Sequence, residues 1–198
     1  MIAGLLLAAG GARRFGSQKL LARVNGEPLV RRAAATLAAA TDTLIVVVGS
    51  EAAAVRDALA GVDARIVPND QWTLGLAGSV RAGIAALDAR ATAVLIALGD
   101  QPTLDPRVME TVLHQWRSTG RAIVAPRYRG EQGHPVLFAR SVFVELADLA
   151  GDHGAKAVIE RTPARVAYVD VDAPMPRDVD TVADAAALDG GAPHRRQG

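Results

Sequence analysis

The chain has 198 residues, a length that suits one domain with one sizeable core, and half of its residues are apolar. Its formal net charge is +1 without a long run of one sign, which argues against nucleic acid as the main partner. The lack of cysteine excludes disulfides, thiolate metal sites and cysteine nucleophiles, and it is typical of the reducing cytoplasm. The apolar N-terminal run is too short to span a bilayer and its positive charges follow it, so we expect neither a signal peptide nor a membrane partner.

Apolar runs of β type alternate with segments of helical periodicity along the first half of the chain. The predicted strands are 2–8, 43–48, 64–67, 93–98, 122–125 and 166–169. Helices are predicted over 28–40, around 76–87, from an Asp105-Pro106 cap to about 116, over 141–149 and over 181–188. Strands of continuous apolar character that alternate with helices predict a three-layer α/β fold with a mainly parallel sheet.

The second half departs from this alternation. Residues 128–138 hold Arg129-Gly130-Glu131-Gln132-Gly133 between two short β-like pieces, which predicts a small β-hairpin or a loop that covers the site. Thr181 and Asp184 are spaced as a capping box for the last helix. Residues 189–198 have little to bury, so we expect a domain over 1–188 followed by a disordered tail.

The loop after the first strand predicts a polyphosphate site. Gly10-Gly11 end the apolar run, and Arg13, Arg14 and Lys19 follow shortly. Glycines let backbone N–H groups approach an anion closely, and the cations neutralise it. The spacing matches neither a Walker A loop nor the G-x-G-x-x-G pattern of dinucleotide sites. An ordinary glycine turn with solvated arginines is the alternative.

A carboxylate follows the strongly apolar run 93–98. Asp100 would lie near any ligand bound at the end of that strand, and Mg²⁺ held with phosphates uses one or two protein carboxylates. Asp178 and Asp180 are candidates for a second carboxylate, and Asp152 is a weaker one. A turn aspartate at 100 and helix-start aspartates at 178 and 180 are the structural alternatives.

Small residues precede the helix in the stretch 69–83, where they could admit a flat base or a phosphate, although a simple helix cap is the alternative. Trp72 is a candidate to line a pocket. His134 lacks a nearby carboxylate, so its spacing favours structural hydrogen bonding. Because ligands of open α/β sheets bind outside the carboxyl ends of the strands, we expect 10–19, 69–79, 99–100 and the stretch near 178–180 to converge.

These segments together resemble the nucleotidyltransferases of the molybdenum cofactor type. The resemblance is carried by Leu7-Ala8-Ala9-Gly10, Arg14-Phe15-Gly16, Lys19-Leu20-Leu21, Gly26-Glu27-Pro28-Leu29, Asn69…Trp72…Gly75-Leu76-Ala77…Ser79, Gly99-Asp100-Gln101-Pro102, Gly133-His134-Pro135, Gly151-Asp152-His153-Gly154-Ala155 and Asp178-Val179-Asp180-Thr181. The Gly-His-Pro and Gly-Asp-x-Gly-Ala segments look like the cytidylyltransferase branch. Ala9, which makes the opening Leu-Ala-Ala-Gly and not Leu-Ala-Gly-Gly, points the same way.

The resemblance implies a Rossmann-like nucleotidyltransferase domain that transfers CMP from CTP to a molybdopterin-type phosphate, with Mg²⁺ (or Mn²⁺) and release of pyrophosphate. It implies a transient contact with a molybdenum enzyme as well. The implied catalytic residues are Arg14, Lys19 and Asp100, although Arg13 leaves open which arginine points inward. The implied nucleotide-binding residues are Leu7, Ala8, Ala9, Gly10, Gly11, Arg14, Lys19, Asn69, Gly78, Ser79 and Asp100. The implied metal ligands are Asp100, Asp180 and Asp178, and the implied acceptor-binding residues are Gly133, His134 and Asp152.

Nucleotidyl transfer is catalysed mainly by positioning and electrostatics, and a phosphate acceptor is already ionised, so the reaction needs no strong general base. Three alternatives remain. The enzyme could use GTP or another phosphate acceptor, or the protein could be a carrier of the molybdenum cofactor without turnover. An NAD-dependent dehydrogenase ranks last, because the first loop lacks the glycine fingerprint.

Overall fold

The fold is seen in a computed structural model, which describes residues 1–11 and 18–189. Arg13 and Arg14, and residues 190–198 of the predicted tail 189–198, lie outside the described residues, whereas Asp189 is the last residue of the final helix. The described chain forms ten strands: β1 (Ile2–Ala8), β2 (Arg23–Val24), β3 (Glu27–Pro28), β4 (Thr43–Val48), β5 (Arg65–Pro68), β6 (Ala93–Leu98), β7 (Ile123–Tyr128), β8 (Glu131–Gln132), β9 (Val136–Ala139) and β10 (Val166–Val171). Its α-helices are α1 (Leu29–Ala40), α2 (Ala52–Ala58), α3 (Leu76–Ala85), α4 (Pro106–Thr119), α5 (Phe143–Ala147), α6 (Lys156–Arg161) and α7 (Val182–Asp189).

The main sheet has the strand order β10-β7-β9-β6-β1-β4-β5, with β8 added to β7. Neighbouring strands are parallel across β6, β1, β4 and β5 and between β7 and β10, whereas β9 is antiparallel to both of its neighbours. Every residue of β1 is buried, because this strand lies in the middle of the sheet with helices on both faces. The predicted α/β fold with a mainly parallel sheet is confirmed.

Alternate residues of β1 divide between two hydrophobic cores. Leu6 and Ala8 pack on one face of the sheet with residues of α1, α2 and α4. Leu5 and Leu7 pack on the other face with residues of α3, α5 and α6. The two-residue period of a strand therefore produces the three layers expected from the sequence.

Local signals set the ends of two helices as predicted. The Asp105 side chain accepts a hydrogen bond from the Arg107 amide at 2.8 Å, ahead of Pro106 in the first turn of α4. At α7 the Thr181 amide donates to the Asp184 carboxylate at 2.8 Å, and the Asp184 amide donates back to the Thr181 hydroxyl at 3.2 Å. These two reciprocal hydrogen bonds form the capping box of α7. The predicted caps of α4 and α7 are therefore both confirmed.

The predicted hairpin in the second half is present as β7 and β8, which pair antiparallel across a two-residue turn. Both turn residues, Arg129 and Gly130, have positive φ, as the twist of a tight hairpin requires. The strand that follows, β9, enters the main sheet between β6 and β7. It is therefore an interior strand, which the local pattern alone did not predict.

The parallel strands β1, β4 and β6 end at the same edge of the sheet, and the loops that begin at residues 9, 49 and 99 leave from that edge. Within the described ranges, no helix is long and apolar enough to cross a membrane.

Candidate active site

A cleft of about 470 Å³ opens at the carboxyl ends of β1 and β6. Its size is within the range of pockets that hold small ligands. The sequence-predicted residues that line it are Leu7, Ala8, Ala9, Gly10, Gly11, Lys19, Trp72, Ser79, Asp100, Asp152 and Asp178. The structure thus brings the end of the first strand, the stretch after Asn69, the Asp100 turn and the late acidic segment to one place.

Lys19 lies between two carboxylates at one end of this cleft. Its Nζ atom is 2.6 Å from Asp100 Oδ2 and 2.9 Å from Asp180 Oδ1. The Val179 amide donates to the Asp100 carbonyl oxygen at 3.1 Å, which fixes the late acidic segment beside the end of β6. Burial alone would lower the pKa of Lys19, but hydrogen bonds to Asp100 and Asp180 and their charges more than offset it and raise that pKa. Lys19 is therefore a permanent cation of the site.

Gln101 holds Asp178, an interaction that the sequence analysis missed. The side-chain amide of Gln101 donates to Asp178 Oδ1 at 2.8 Å, and Gln101 is only 4% exposed. Its Oε1 atom is buried without a hydrogen-bond partner among the described residues. The available signal was a polar residue directly after Asp100, in a turn that leaves a buried strand.

The stretch 69–79 forms a side wall of the cleft, but not all its predicted residues face the ligand space. Ser79 lines the cleft, whereas Asn69 lies behind it and donates to Ser79 Oγ at 3.0 Å. Asn69 Oδ1 accepts a hydrogen bond from the backbone N–H of Gln71. The oxygen and the nitrogen of the Asn69 side chain therefore both stabilise this wall. Gly78 also stands back from the cleft, against the Asn69 side chain. Asn69 and Gly78 were predicted to bind the nucleotide, but neither lines the cleft. The Asn69 side-chain amide bonds instead to the Ser79 hydroxyl and the Gln71 backbone, and Gly78 packs against it.

Trp72 packs its ring on the glycine loop. A Cβ atom at Gly11 would lie 2.7 Å from the Trp72 ring, so only glycine permits this close approach. The ring of Trp72 lines the cleft, as predicted. Trp116, in α4, packs against the core and not in the cleft.

The loop 151–154 closes the cleft from the other side. A Cβ atom at Gly75 would collide with Asp152 Oδ1 and would lie 3.0 Å from the Gly151 carbonyl oxygen. The Ala77 amide donates to the same carbonyl oxygen at 3.4 Å. Gly75 has φ of +105°, a conformation that glycine adopts readily. The close packing on Gly75 brings the Asp152 side chain to the cleft.

A second cavity of about 270 Å³ adjoins the first, and Leu7, Leu76 and Leu98 line both. Gly133 and His134 line this second cavity, whereas Asp152 lines the first. The three residues predicted to bind the acceptor are therefore divided between two neighbouring spaces.

His134 is held by its surroundings in a neutral form. Burial lowers the pKa of its imidazole, against the opposing effects of a hydrogen bond with the Ile96 backbone and of the charges of Asp178 and Asp100. The Tyr128 hydroxyl donates to the His134 carbonyl oxygen at 2.9 Å, and burial raises the pKa of Tyr128 to about 12, so this hydroxyl keeps its proton.

No group of three or more metal-binding side chains converges within residues 1–11 and 18–189. Asp100 and Asp180 nevertheless converge on one cation, the Lys19 ammonium, and a carboxylate pair satisfies the protein share of a Mg²⁺ site whose other ligands are phosphates and waters. Asp178 is engaged by Gln101 and lies at the same end of the cleft. The donor set therefore fits a divalent cation that binds together with a polyphosphate.

The arrangement has the groups needed to hold a phosphate chain and to stabilise charge on it: a lysine, a strand-end glycine loop and a carboxylate pair beside them. A solved structure with the same fold is Rv0371c from Mycobacterium tuberculosis H37Rv, which is 33% identical, covers 96% of this chain and 97% of its own, and superposes with a TM-score of 0.85. A structure of Rv0371c in complex with manganese is 32% identical and superposes with a TM-score of 0.79, covering 96% of this chain and 99% of its own.

The fold is that of the nucleotidyltransferases. A family model described as the MobA-like NTP transferase domain matches residues 4–167, and the chain belongs to that family.

Two curated relatives carry different names. Nicotine blue oxidoreductase of Paenarthrobacter nicotinovorans is 33% identical over 192 residues, which cover 91% of this chain and 93% of the relative. A probable molybdenum cofactor guanylyltransferase of Thermococcus gammatolerans is 29% identical over 140 residues, which cover 70% of this chain and 69% of the relative.

Proposed function

We propose that the protein is a Mg²⁺-dependent cytidylyltransferase that transfers CMP from CTP to the phosphate of a molybdopterin-type acceptor and releases pyrophosphate. The observation that carries the proposal is the Lys19 ammonium in contact with the Asp100 carboxylate, at the end of the cleft that the Leu7–Gly11 backbone lines. This arrangement supplies an anchor for phosphates next to the ligands of a divalent cation.

The cytosine base is assigned to the part of the cleft beside Ala9. Ala9 is 4% exposed, lines the cleft and packs in the core on the α3 side of the sheet. Ala9 is larger than the glycine that could stand at this strand end, and less space there would favour a pyrimidine over a purine. The Ser79 hydroxyl accepts from Asn69, so its own hydrogen is available to a base in the cleft.

The Lys19 ammonium binds the phosphates and stabilises the charge that develops on the leaving pyrophosphate. Asp100 and Asp180 would hold a divalent cation, which would supply positive charge to neutralise the phosphates. The acceptor phosphate is ionised at neutral pH and attacks without a general base, so His134 needs no proton-transfer role. Positioning therefore accounts for the chemistry.

The second cavity is the proposed place of the acceptor's ring system. It adjoins the nucleotide cleft through Leu7, Leu76 and Leu98, and the His134 side chain forms part of its wall. Asp152 reaches into the first cavity from the loop that covers both spaces. An acceptor that spans the two cavities would place its phosphate near Lys19, and the relative named as a molybdenum cofactor guanylyltransferase supports a molybdopterin-type compound as that acceptor.

Pyrophosphate release by the purified protein tests this function. We expect release with CTP, Mg²⁺ and molybdopterin, and a slower reaction with GTP. Omission of the acceptor, and of the divalent cation by chelation, are the controls. No release with CTP and molybdopterin would refute the specific assignment, whereas release with GTP alone would keep the reaction and change the base.

The base assignment predicts the behaviour of the Ala9→Gly variant. Removal of the Ala9 methyl group is expected to lower the CTP-to-GTP ratio of kcat/KM by about tenfold, a usual effect of one methyl or methylene group in a pocket. The ratio is measured directly by mixing CTP and GTP in one reaction and quantifying the cytidine and guanosine dinucleotide products. Ala3→Gly, a buried alanine within β1 away from the cleft, is the matched control and should leave the ratio unchanged.

An oxidoreductase is a second candidate function, because the relative named nicotine blue oxidoreductase aligns over most of both chains. The first loop lacks the glycine fingerprint of dinucleotide sites, and Glu51, which follows β4, is exposed. Oxidation of NADH or NADPH with a blue dye as acceptor, in the same preparation that is assayed for pyrophosphate, separates the two functions. Dye reduction without pyrophosphate release would favour the oxidoreductase.

A further inference from the structure

The pair Asp100 and Asp180 is occupied by a cation that belongs to the chain itself. Both carboxylates point at one Lys19 Nζ atom, at 2.6 and 2.9 Å. The Lys19 and Asp100 side chains are only 16% and 20% exposed, whereas Asp180 is half-exposed. An ammonium held by two carboxylates stands where a divalent cation would contact the same oxygens.

The described side chains that line the cleft carry more negative than positive charge. Among the described residues that line it, Lys19 is the one basic side chain, and Asp100, Asp152 and Asp178 are carboxylates. A triphosphate that entered alone would meet this negative charge at close range, where the protein screens it less than water does. A cation that entered alone would have to compete with Lys19 for its ligands. The cation would neutralise the carboxylates that repel the triphosphate. The triphosphate would in turn draw Lys19 away from the carboxylates that the cation needs.

We propose that Lys19 closes the cation site of the nucleotide-free protein, and that the divalent cation binds together with the nucleotide, whose phosphates take the Lys19 ammonium away from the carboxylates. This inference rests on the proposed function for the identity of the ligand as a nucleoside triphosphate. Its core, the competition between Lys19 and a cation for Asp100 and Asp180, is independent of which base or acceptor the enzyme uses.

The exchange conserves charge pairing at every stage. Before binding, the ammonium pairs with the two carboxylates; after binding, the ammonium pairs with phosphate and the carboxylates pair with the cation. Neither a carboxylate pair nor a lysine is left alone in a partly buried site, where an unpaired charge is unfavourable. Coupling between two ligands is reciprocal, so the cation must tighten nucleotide binding by the same factor as the nucleotide tightens cation binding.

Direct measurement of Mn²⁺ bound to the protein tests this exchange without any turnover. Equilibrium dialysis with Mn²⁺ alone is expected to show weak binding to the wild type and at least about tenfold tighter binding to Lys19→Met, which frees the carboxylates. Lys156→Met is the matched control: it removes the same charge from an exposed lysine that pairs with Glu160 on α6, and it should bind Mn²⁺ like the wild type. Addition of CTP should tighten Mn²⁺ binding to the wild type by a similar factor.

Equal Mn²⁺ affinity of the wild type and Lys19→Met would overturn the inference, as would wild-type affinity that CTP leaves unchanged. The double variant Lys19→Met, Asp100→Asn must lose the gain; if it keeps it, the cation lies elsewhere and the inference fails. The CTP arm uses the unaltered protein, so it stands even if a variant does not fold. Tight Mn²⁺ binding by Lys19→Met, together with no pyrophosphate release by the wild type from any nucleotide, would refute the proposed reaction and retain the exchange at the carboxylates.

Discussion

Asp100→Asn is expected to lower the rate of nucleotidyl transfer by about 10²- to 10³-fold, the usual loss when a group that stabilises transition-state charge is removed. The change keeps the size of the side chain but removes the negative charge that contacts Lys19 at 2.6 Å. It leaves one carboxylate, Asp180, to hold the cation and to orient the lysine. Single-turnover release of pyrophosphate from CTP, with acceptor in excess, measures the chemical step apart from product release.

The fold should survive this substitution, because Lys19 keeps its contact with Asp180 at 2.9 Å. Thermal unfolding of the variant is therefore expected close to that of the wild type. Asp88→Asn provides the matched control, since it breaks an ion pair with Arg90 at the surface and should leave transfer unchanged. Full activity of Asp100→Asn would remove Asp100 from the catalytic set. Delivery of the cofactor to a molybdenum enzyme at the wild-type level, together with lost turnover, would favour the carrier function.

Gly75→Ala is expected to lower the free energy of unfolding by about 2–3 kcal/mol, because alanine is strained at this backbone conformation. The residue has φ of +105° and ψ of 177°. Its new Cβ atom would also collide with Asp152 Oδ1, so the loop 151–154 must move away from the cleft. We therefore expect the KM for the acceptor to rise by about tenfold or more, with a smaller effect on the KM for CTP. Urea unfolding and initial-rate kinetics measure the two effects.

Gly120→Ala separates strain from collision. Gly120 also has a positive φ, but a Cβ atom there meets no other atom within 4 Å, and the residue ends α4. This variant should lose about 1 kcal/mol of stability and keep the acceptor KM of the wild type. An acceptor KM that is unchanged in Gly75→Ala would show that the position of Asp152 has no part in acceptor binding.

The stretches with strong local signals were predicted with nearly the observed bounds. The runs 2–8, 43–48 and 93–98 are strands over those same residues, because a continuous apolar run of this length needs cover on both faces. The Asp105-Pro106 cap also belongs to the local chain. The short helices α2 and α6 were missed, because their Ala-rich and mixed segments have no clear apolar face and form through packing on the sheet.

Only part of the candidate site could be predicted from the sequence, namely the residues near the ends of strongly apolar strands. Lys19, Asp100 and the strand end at Leu7–Gly11 all follow or end buried strands, and residues at the carboxyl ends of parallel strands meet at one edge. The resemblance implies Asn69 as a nucleotide-binding residue, whereas its side-chain amide bonds to the Ser79 hydroxyl and the Gln71 backbone. The acceptor residues were grouped by resemblance, and the structure divides them between two cavities.

The sequence by itself determined which segments are buried strands and which polar residues follow them, since both depend on neighbours within a few positions. Only the tertiary structure decided how distant segments pair. It inserts β9 between β6 and β7, and it brings Lys19 to Asp180 across 161 positions of the chain. Such pairings depend on the packing of whole layers, in which no short stretch carries the information about its partner. The contact between Lys19 and Asp180 is therefore a property of the fold, although both residues were predicted site residues from the sequence.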